Sequence, residues 1–385
     1  MKKLHLFLFL SCVLLSGITI SCKKSVQADD KNLVETPEND SVRFSVKYAK
    51  GFNLKYIEGG VLVDVKDPSG ESKHDYHYAF LKRGQQHADV PKNYQVVETP
   101  VRNTICMTSP QLSYFLKLHA LDKIVGMTST HLLHNKEAKK AIKEGKIGRI
   151  GMEGNFDSEL ILGLNPQVIL VSPFKRGGFE SIKNLGIPLV TFLAYKEPDP
   201  LGQAEWLKFV GMLIGKEADA AKAFQDIEKK YNDLKKLTAN VKNRPTVMSG
   251  ELRSGNWYVI GGCNYLAQQF RDAGADYFLK DNTETGGFEM DFESVYAKGA
   301  HVDFWRILNA KSDDFSYDFI KGLDPRYADF KAFKERQILY CDQRKRPFYE
   351  EIPVAPEVVL ADLIKIFHPE LVPQHKAVYY ELLKK

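Results

Sequence analysis

The chain has 385 residues, of which 44% are apolar and 27% are charged, with 54 basic residues against 49 acidic ones. A chain of this length and apolar content can bury a large core and is long enough for two lobes or domains. Its net charge of +5 is too small to indicate a nucleic-acid-binding surface or a basic membrane patch, so we expect no nucleic-acid partner.

The amino terminus has the features of an export signal. Lys2 and Lys3 precede an apolar run over residues 4–15, which is shorter than the roughly 20 residues that span a bilayer. Ser21 before Cys22 is the arrangement at which bacterial lipoproteins are cleaved and lipidated. We therefore expect a signal peptide, a lipidated Cys22 and a flexible polar tether. A plain secretory leader is the alternative.

After the tether, apolar residues alternate with polar residues along several short stretches. A period of two is typical of strands with one buried face. This part of the chain is therefore predicted to form an antiparallel β-layer. The alternating sets are Phe44, Val46 and Tyr48; Phe52, Leu54 and Tyr56; Val61, Val63 and Val65; and Tyr76, Tyr78 and Phe80.

The next part of the chain alternates between short apolar stretches and helical patterns. Ser109 and Pro110 supply a cap and a first-turn proline for the first helix. Strands that alternate with helices indicate a mostly parallel α/β lobe. The predicted strands cover residues 104–108, 124–128, 168–172 and 188–193, and further helices cover about 136–144 and 158–164.

The longest helical pattern separates this lobe from a second α/β series. Its apolar residues recur at spacings of three and four on both sides of Gly215. The second series has predicted strands at 246–249, 257–260, 302–307 and 337–341, and predicted helices at about 265–273, 356–367 and 375–383. The predicted fold is α/β, with two Rossmann-like lobes joined by a long rigid helix and an N-terminal antiparallel β extension. Its parts are a signal peptide (1–21), lipidated Cys22 and tether (22–42), β extension (43–94), N-terminal lobe (95–200), linking helical segment (201–240) and C-terminal lobe (241–385).

The sequence contains none of the common catalytic motifs: GxSxG, HExxH, a Walker loop and GxGxxG all fail to occur. His131 and His134 could face a metal ion, although histidines at this spacing near a helix start are also typical of a solvated surface. Besides Cys22, the mature chain has three cysteines without a CxxC pair, which excludes a zinc knuckle and a thioredoxin-like site. A disulfide between Cys263 and Cys341 and a set of three buried thiols both stay open.

Six segments carry a family resemblance. They are NTICMTSPQLSYFLKLHALDKIVGMTS, FDSELILGLNPQVILVS, AEWLKFVGMLIGKEADAAKAF, GNWYVIGGCNYLAQQFRDAGADY, MDFESVYAKGAHVDFW and PEVVLADLIKIFHPELVP. In this order they resemble the substrate-binding proteins of iron-siderophore, haem and cobalamin ABC importers, over residues 95–385. The resemblance implies the helical-backbone periplasmic-binding-protein fold. It also implies an extracytoplasmic, monomeric carrier that is not an enzyme and passes a small molecule to an ABC permease dimer with its ATPase.

The resemblance places the ligand between the lobes, against loops at the strand ends. Aromatic and basic residues in these loops suit a flat or aryl ligand with carboxylates or catecholates. The basic run at residues 344–349 favours an anionic chelate, a ferric siderophore or a haem, over cobalamin. No resident cofactor is implied. The candidate contacts are Ser109, His131, Met152, Phe174, Lys175, Tyr195, Arg253, Trp257, Trp305, Arg306, Arg344, Arg346 and Tyr349.

Glu159 and Glu293 match the family positions that pair with permease arginines. The alternative is that both are ordinary acids of a helix N-terminus, where the helix dipole favours them. Three other functions stay open. The first is cobalamin binding, and the second is binding of bare zinc or manganese, for which only His131 and His134 offer a start. The third is a surface haem chelatase-type enzyme on the same fold.

Overall fold

The structure is a computed structural model that describes residues 42–70, 72–128, 130, 132–152, 154–173, 179–312 and 314–384. The predicted signal peptide, Cys22 and the tether up to residue 41 lie outside these ranges. Within them, no helix combines the length and the apolar character that a membrane span requires.

A four-stranded sheet opens the described chain. Its strands are β1 (Phe52–Ile57), β2 (Gly60–Val65), β3 (Tyr76–Lys82) and β4 (Gln95–Thr99), in that spatial order. The first three are antiparallel, as predicted, whereas β4 runs parallel to β3. The rings of Phe52 and Phe80 pack edge-on against Phe209, with centroids 5.8 and 5.4 Å away, so the sheet shares a core with the helical segment that follows the first lobe.

The alternating stretch 44–48 is not a strand, and that prediction was wrong. Its backbone donors bind side chains instead of a neighbouring strand. The buried Glu205 carboxylate accepts the N–H groups of residues 47–49 at 2.7 to 3.0 Å. Glu197 accepts the next two N–H groups at 2.8 Å. These hydrogen bonds satisfy the donors that a sheet would otherwise satisfy.

The first lobe is a parallel sheet in the order β11-β10-β5-β6-β7, with helices between its strands. A small β8-β9 hairpin lies beside it. The elements are β5 (Thr104–Cys106), α1 (Ser109–Lys117), β6 (Ile124–Met127), α2 (Lys136–Lys143), β7 (Gly148–Arg149), β8 (Gly151–Met152), β9 (Asn155–Phe156), α3 (Ser158–Gly163), β10 (Val168–Val171), α4 (Glu180–Lys183) and β11 (Leu189–Thr191), with 3-10 turns at Leu121–Lys123 and Ala194–Lys196.

Two consecutive helices connect the lobes, α5 (Pro200–Ile214) and α6 (Glu217–Thr238). Asp199 caps α5, and Gly215 ends it in the left-handed conformation, with φ of 71°, which a glycine adopts without strain. The 22 residues of α6 extend over roughly 33 Å. The predicted linking segment is therefore confirmed, with its break at the glycine.

The second lobe repeats the scheme, in a sheet of order β15-β12-β17-β18-β19 that is parallel except for β19. A second, antiparallel sheet has the order β13-β14-β16. The elements are β12 (Thr246–Ser249), β13 (Glu251–Arg253), β14 (Asn256–Ile260), α7 (Tyr265–Asp272), β15 (Asp276–Tyr277), β16 (Gly287–Met290), α8 (Phe292–Gly299), β17 (Phe304–Asn309), α9 (Tyr317–Leu323), α10 (Lys331–Lys334), β18 (Ile338–Asp342), α11 (Phe348–Glu351), α12 (Pro356–Phe367) and β19 (Glu381–Leu382), with 3-10 turns at Pro325–Asp329 and Ile352–Val354.

The two-lobe α/β fold is thus confirmed, and the last predicted helix is not. Residues 375–383 contain the short strand β19 in place of a helix. The buried carboxylate of Asp362 accepts the N–H groups of residues 378–380, which a helix would need for its own hydrogen bonds.

Candidate ligand-binding cleft

A cavity of about 750 Å³ lies between the two lobes, within the volume range of small-molecule sites. On the first lobe its wall consists of residues that follow β5, β10 and β11. On the second lobe it consists of residues in or after β14, β17 and β18. The cleft therefore lies at the carboxyl ends of strands of both main sheets, where open α/β sheets bind their ligands.

A hydrogen-bonded glutamine forms the floor on the first lobe. Gln111 is 1% exposed, and its Oε1 accepts the N–H groups of Met107 at 2.6 Å and Thr108 at 3.3 Å. Its Nε2 donates to Ser172 Oγ at 2.8 Å, and that hydroxyl donates to the Phe192 carbonyl at 2.9 Å. Three strand ends are thereby tied together, so this wall is pre-organised before any ligand enters.

The second-lobe wall contains a buried arginine. Arg306, in β17, is 8% exposed, and its Nε and Nη2 donate to the Tyr380 hydroxyl at 2.8 and 2.6 Å. Its guanidinium carbon lies 5.9 Å from the Phe348 ring centroid and 5.4 Å from that of Tyr380. In the described part of the chain, no carboxylate forms an ion pair with it. A buried charge is costly without an opposite charge. Arg306 should therefore favour a bound ligand that places a negatively charged group beside it.

Three tyrosines add phenol groups to the same cleft. Tyr258, Tyr265 and Tyr349 line it, and their hydroxyls have no hydrogen-bond partner among the residues that the structure describes. Burial raises the pKa of the Tyr265 phenol, so this group stays protonated at neutral pH and can donate a hydrogen bond. The rings offer flat apolar surface beside those donors.

The other charged groups of the wall are mainly basic. Lys196 bonds to Asp67 of the N-terminal extension at 2.6 Å, and Arg346 lies 3.8 Å from Glu381. Glu350 is the acidic residue of this wall among the described ones, and backbone donors of the first lobe occupy both of its oxygens. The cleft therefore has a positive character, which favours an anionic ligand.

The structure brings part of the predicted site together. Ser109, Tyr195, Arg306, Arg346 and Tyr349 line the cleft, and their part in ligand binding stays a prediction. His131, Phe174 and Lys175 lie outside the described residues. The candidates that the structure places away from the cleft wall are Met152, Arg253, Trp257, Trp305 and Arg344.

The two tryptophans are core residues. Trp257 and Trp305 are 0% exposed, and their ring centroids lie 5.4 Å apart. Successive side chains of a strand point to opposite faces, so the residue after each tryptophan, Tyr258 or Arg306, lines the cleft. The predicted ligand contacts Trp257 and Trp305 therefore face the core and not the cleft.

The other three candidates that do not line the cleft are Met152, Arg344 and Arg253. Met152 is exposed on the β8-β9 hairpin. The Arg344 guanidinium bonds to the Asp342 carboxylate at 3.0 Å. The Arg253 guanidinium carbon lies 4.7 Å from the Tyr258 ring centroid, and its side chain is exposed.

The described residues contain no group of three or more histidine, cysteine, aspartate or glutamate side chains that could hold a metal ion. His134 Nε2 bonds to the Gln343 carbonyl at 2.8 Å. Cys106, Cys263 and Cys341 are free thiols. The alternative of three buried thiols was wrong for Cys263, which is exposed.

Both proposed docking glutamates lie in the first turn of a helix. Asp157 caps α3 and Asp291 caps α8, and Glu159 and Glu293 follow them by two residues. Glu159 is exposed, and the Glu293 side chain is 81% exposed, 3.8 Å from Arg326. Both carboxylates are thus accessible to a partner, and their role stays a prediction.

The family model described as periplasmic binding protein matches residues 105–345, which is more than half of the chain. The chain belongs to the periplasmic binding protein family. An uncharacterized lipoprotein of Methanocaldococcus jannaschii, MJ0878, is 26% identical to this periplasmic binding protein, with 99% of this chain and 96% of that protein covered.

Solved structures show the same fold. A periplasmic binding protein from Veillonella parvula has a TM-score of 0.61 at 15% identity, covering 80% of this chain and 98% of that one. A periplasmic heme binding protein from Pseudomonas aeruginosa has a TM-score of 0.58 at 17% identity, covering 74% and 99%. The family consists of binding proteins and not of enzymes, as predicted, and membership implies an extracytoplasmic protein with a small-molecule ligand and an ABC permease partner.

Proposed function

We propose that this protein captures an anionic metal chelate, a ferric siderophore or a haem, between its lobes and delivers it to an ABC permease. The observation that carries the proposal is Arg306, a buried cation in the cleft wall without an acidic partner among the described residues. A carboxylate or catecholate oxygen of the ligand supplies the missing negative charge, in the geometry that guanidinium groups favour.

The shape and chemistry of the cleft support the same ligand class. Tyr258, Tyr265 and Tyr349 offer hydroxyl donors to ligand oxygens and ring faces to an aryl or tetrapyrrole plane. The cavity of about 750 Å³ has the size of such molecules. One structurally similar protein is named as a heme binding protein, which agrees with this proposal.

The carrier is anchored to a membrane through lipidated Cys22, and its tether ends at the β extension. The lipoprotein name of the archaeal relative supports this arrangement. Glu159 on the first lobe and Glu293 on the second form a two-point electrostatic contact with arginines of the permease. Because the two lobes present one charge each, this contact also fixes the orientation of the cleft toward the permease.

The alternatives fit the cleft less well. A bare zinc or manganese ion needs several converging side chains, and the described residues offer no such group. Cobalamin is neutral overall and has a single anionic group, a phosphodiester, so it offers Arg306 less negative charge than a catecholate or propionate chelate does. A chelatase needs a metal-releasing group at the ligand, and the family is one of binding proteins.

Equilibrium titration of the purified protein tests the proposal. The probes are ferric enterobactin and haemin as anionic chelates, ferrichrome as a neutral ferric chelate, cyanocobalamin, and zinc ion. We expect one of the anionic chelates to bind most tightly. Tightest binding of a neutral chelate, of cobalamin or of the bare ion overturns the proposal, as does metal removal from haemin by the protein alone.

A further inference from the structure

The C-terminal segment of the chain, residues 375–384, contacts two arginines of the cleft wall, Arg306 and Arg346. It lies beyond residues 105–345, over which the family model matches. Its strand β19 pairs with β18, where Leu382 faces Leu339 and Glu381 faces Tyr340. Strand β18 lies between β19 and β17. Only one strand therefore separates the segment from Arg306, which is in β17.

A buried carboxylate fixes the course of this segment. Asp362, on α12, is 0% exposed and accepts the N–H groups of Val378, Tyr379 and Tyr380 at 3.0, 2.6 and 3.0 Å. His375 Nε2 lies 2.6 Å from the same carboxylate. An acceptor with several donors in a dry environment holds their backbone rigidly. The segment is therefore a built part of the second lobe.

Tyr380 transmits this rigidity to the cleft. Its ring is fully buried, 5.4 Å from the Phe348 ring centroid, and its hydroxyl accepts two hydrogen bonds from the Arg306 guanidinium. Burial raises the pKa of the Tyr380 phenol, so it remains a neutral group. A neutral acceptor orients a guanidinium without cancelling its charge, whereas a carboxylate at this place would cancel it.

The neighbouring residue borders the second cleft arginine. A Glu381 carboxylate oxygen lies 3.8 Å from Arg346 Nη2, and both side chains are partly exposed. This long, solvated ion pair is weak and leaves Arg346 available. Consecutive residues of one segment therefore hold two cleft cations in different ways, Arg306 firmly and Arg346 loosely.

We propose that the C-terminal segment is a specificity element of the binding site, in which Tyr380 is a positioning residue that aims Arg306 at an anionic group of the ligand. Asp362 acts indirectly, because its carboxylate holds the backbone of Tyr380 in place. This inference rests on the proposed function, because it requires that Arg306 meets a ligand anion. It adds that selectivity for charged over neutral chelates is set by residues outside the region that the family shares.

The test compares Tyr380→Phe with Tyr379→Phe. Both variants lose one phenol hydroxyl from the same segment, but the Tyr379 hydroxyl bonds to Glu351 and not to Arg306. Circular dichroism and thermal unfolding establish that both variants fold. The first readout is affinity for ferric enterobactin and haemin, which are anionic, against ferrichrome, which is neutral. The second is hydrogen exchange of the Arg306 Nε–H by NMR in the protein without ligand.

Tyr380→Phe is expected to weaken binding of the anionic probes by about tenfold, to leave ferrichrome binding unchanged and to speed exchange of the Arg306 Nε–H. Tyr379→Phe is expected to change none of these. Equal losses for charged and neutral probes, equal losses in both variants, or unchanged exchange in Tyr380→Phe would overturn the inference. If the unmodified protein binds no anionic probe, the proposed function fails, and exchange still decides whether Tyr380 positions Arg306.

Discussion

Glu350, in the second lobe, accepts the backbone N–H of His134, in the first lobe, at 2.5 Å. Its other carboxylate oxygen accepts the N–H of Asn135 at 2.7 Å, and Asn135 is the cap of helix α2. An acidic side chain of one lobe thus stabilises a helix start in the other, where the helix dipole favours negative charge. Together with α5 and α6, this contact limits how far the lobes can separate.

Replacement of Glu350 by glutamine should loosen the lobes. The oxygen of the glutamine amide still accepts one backbone N–H, but its NH2 group faces the other backbone N–H. Two donors that face each other form no hydrogen bond, and this costs about 1–3 kcal/mol of unfolding free energy. Small-angle scattering should show a larger radius of gyration for the variant, and only slight compaction of the unmodified protein with ligand. The control is Glu351→Gln, since Glu351 bonds to Tyr379 within its own lobe. Large compaction of the unmodified protein on ligand binding contradicts this account.

The buried Glu197 should make stability depend on pH. Burial raises its pKa from 4.5 to about 7, although the N–H groups of Lys50 and Gly51 and the Trp206 ring N–H partly oppose the shift. The folded state thus holds this proton more tightly than the unfolded state. The contribution of the protonated Glu197 to the free energy of unfolding is complete below about pH 4.5. It is lost as the pH rises to about 7, by on the order of 3 kcal/mol.

Urea unfolding from about pH 4.5 to about pH 8 measures this effect. As the pH rises, the unmodified protein should lose stability relative to Glu197→Gln, because glutamine does not ionise. The exposed substitution Glu137→Gln controls for general changes in charge. A difference between the unmodified protein and Glu197→Gln that stays constant across this range would show that the carboxyl does not titrate there.

Charge reversal at the docking glutamates should separate transport from binding. Glu159→Lys and Glu293→Lys should leave ligand affinity unchanged and cost less than about 0.5 kcal/mol of stability, because both side chains are exposed. Uptake should fall in each and most in the double variant, since like charges at an interface repel. Glu137→Lys is the matched control, because Glu137 also lies two residues after a cap. Loss of ligand binding in the single variants would place these glutamates in the pocket.

Cys22→Ser should release the protein from the membrane. The change removes the thiol that carries the lipid, while the folded lobes, which begin beyond the tether, keep their ligand affinity. Fractionation of cells and metabolic labelling with a fatty acid measure the two consequences. Unchanged membrane association of an unlabelled variant would contradict the lipid anchor.

Two elements that were predicted well are apolar segments that begin at or directly after a proline. Strand β12 (Thr246–Ser249) and helix α12 (Pro356–Phe367) coincide with their predicted ranges. Residues 44–48 alternate like a strand, yet their backbone donors are bound by Glu205, which is distant in sequence. No local pattern encodes such a partner.

The cleft was harder to predict than the fold for a related reason. Alternation assigns Trp257 and Tyr258 to opposite faces of β14, but only the packing of the lobes decides which face meets the ligand. Gln111 and Tyr380 act through hydrogen bonds to distant residues, so neither has a signal in the sequence around it. Arg306 lies within β17, and its part in ligand binding stays a prediction.

The most direct test of the central claim is calorimetric titration of Arg306→Gln with the anionic chelate that binds the unmodified protein most tightly. The control is Arg344→Gln, since the Arg344 guanidinium bonds to Asp342 and lies away from the cleft wall. We expect Arg306→Gln to lose at least about tenfold in affinity, with unchanged thermal unfolding or a gain in stability, because the variant removes a buried charge. The Arg344 variant should bind as the unmodified protein does. An Arg306 variant that folds and binds the anionic chelate with undiminished affinity would contradict the claim that this buried cation selects the ligand.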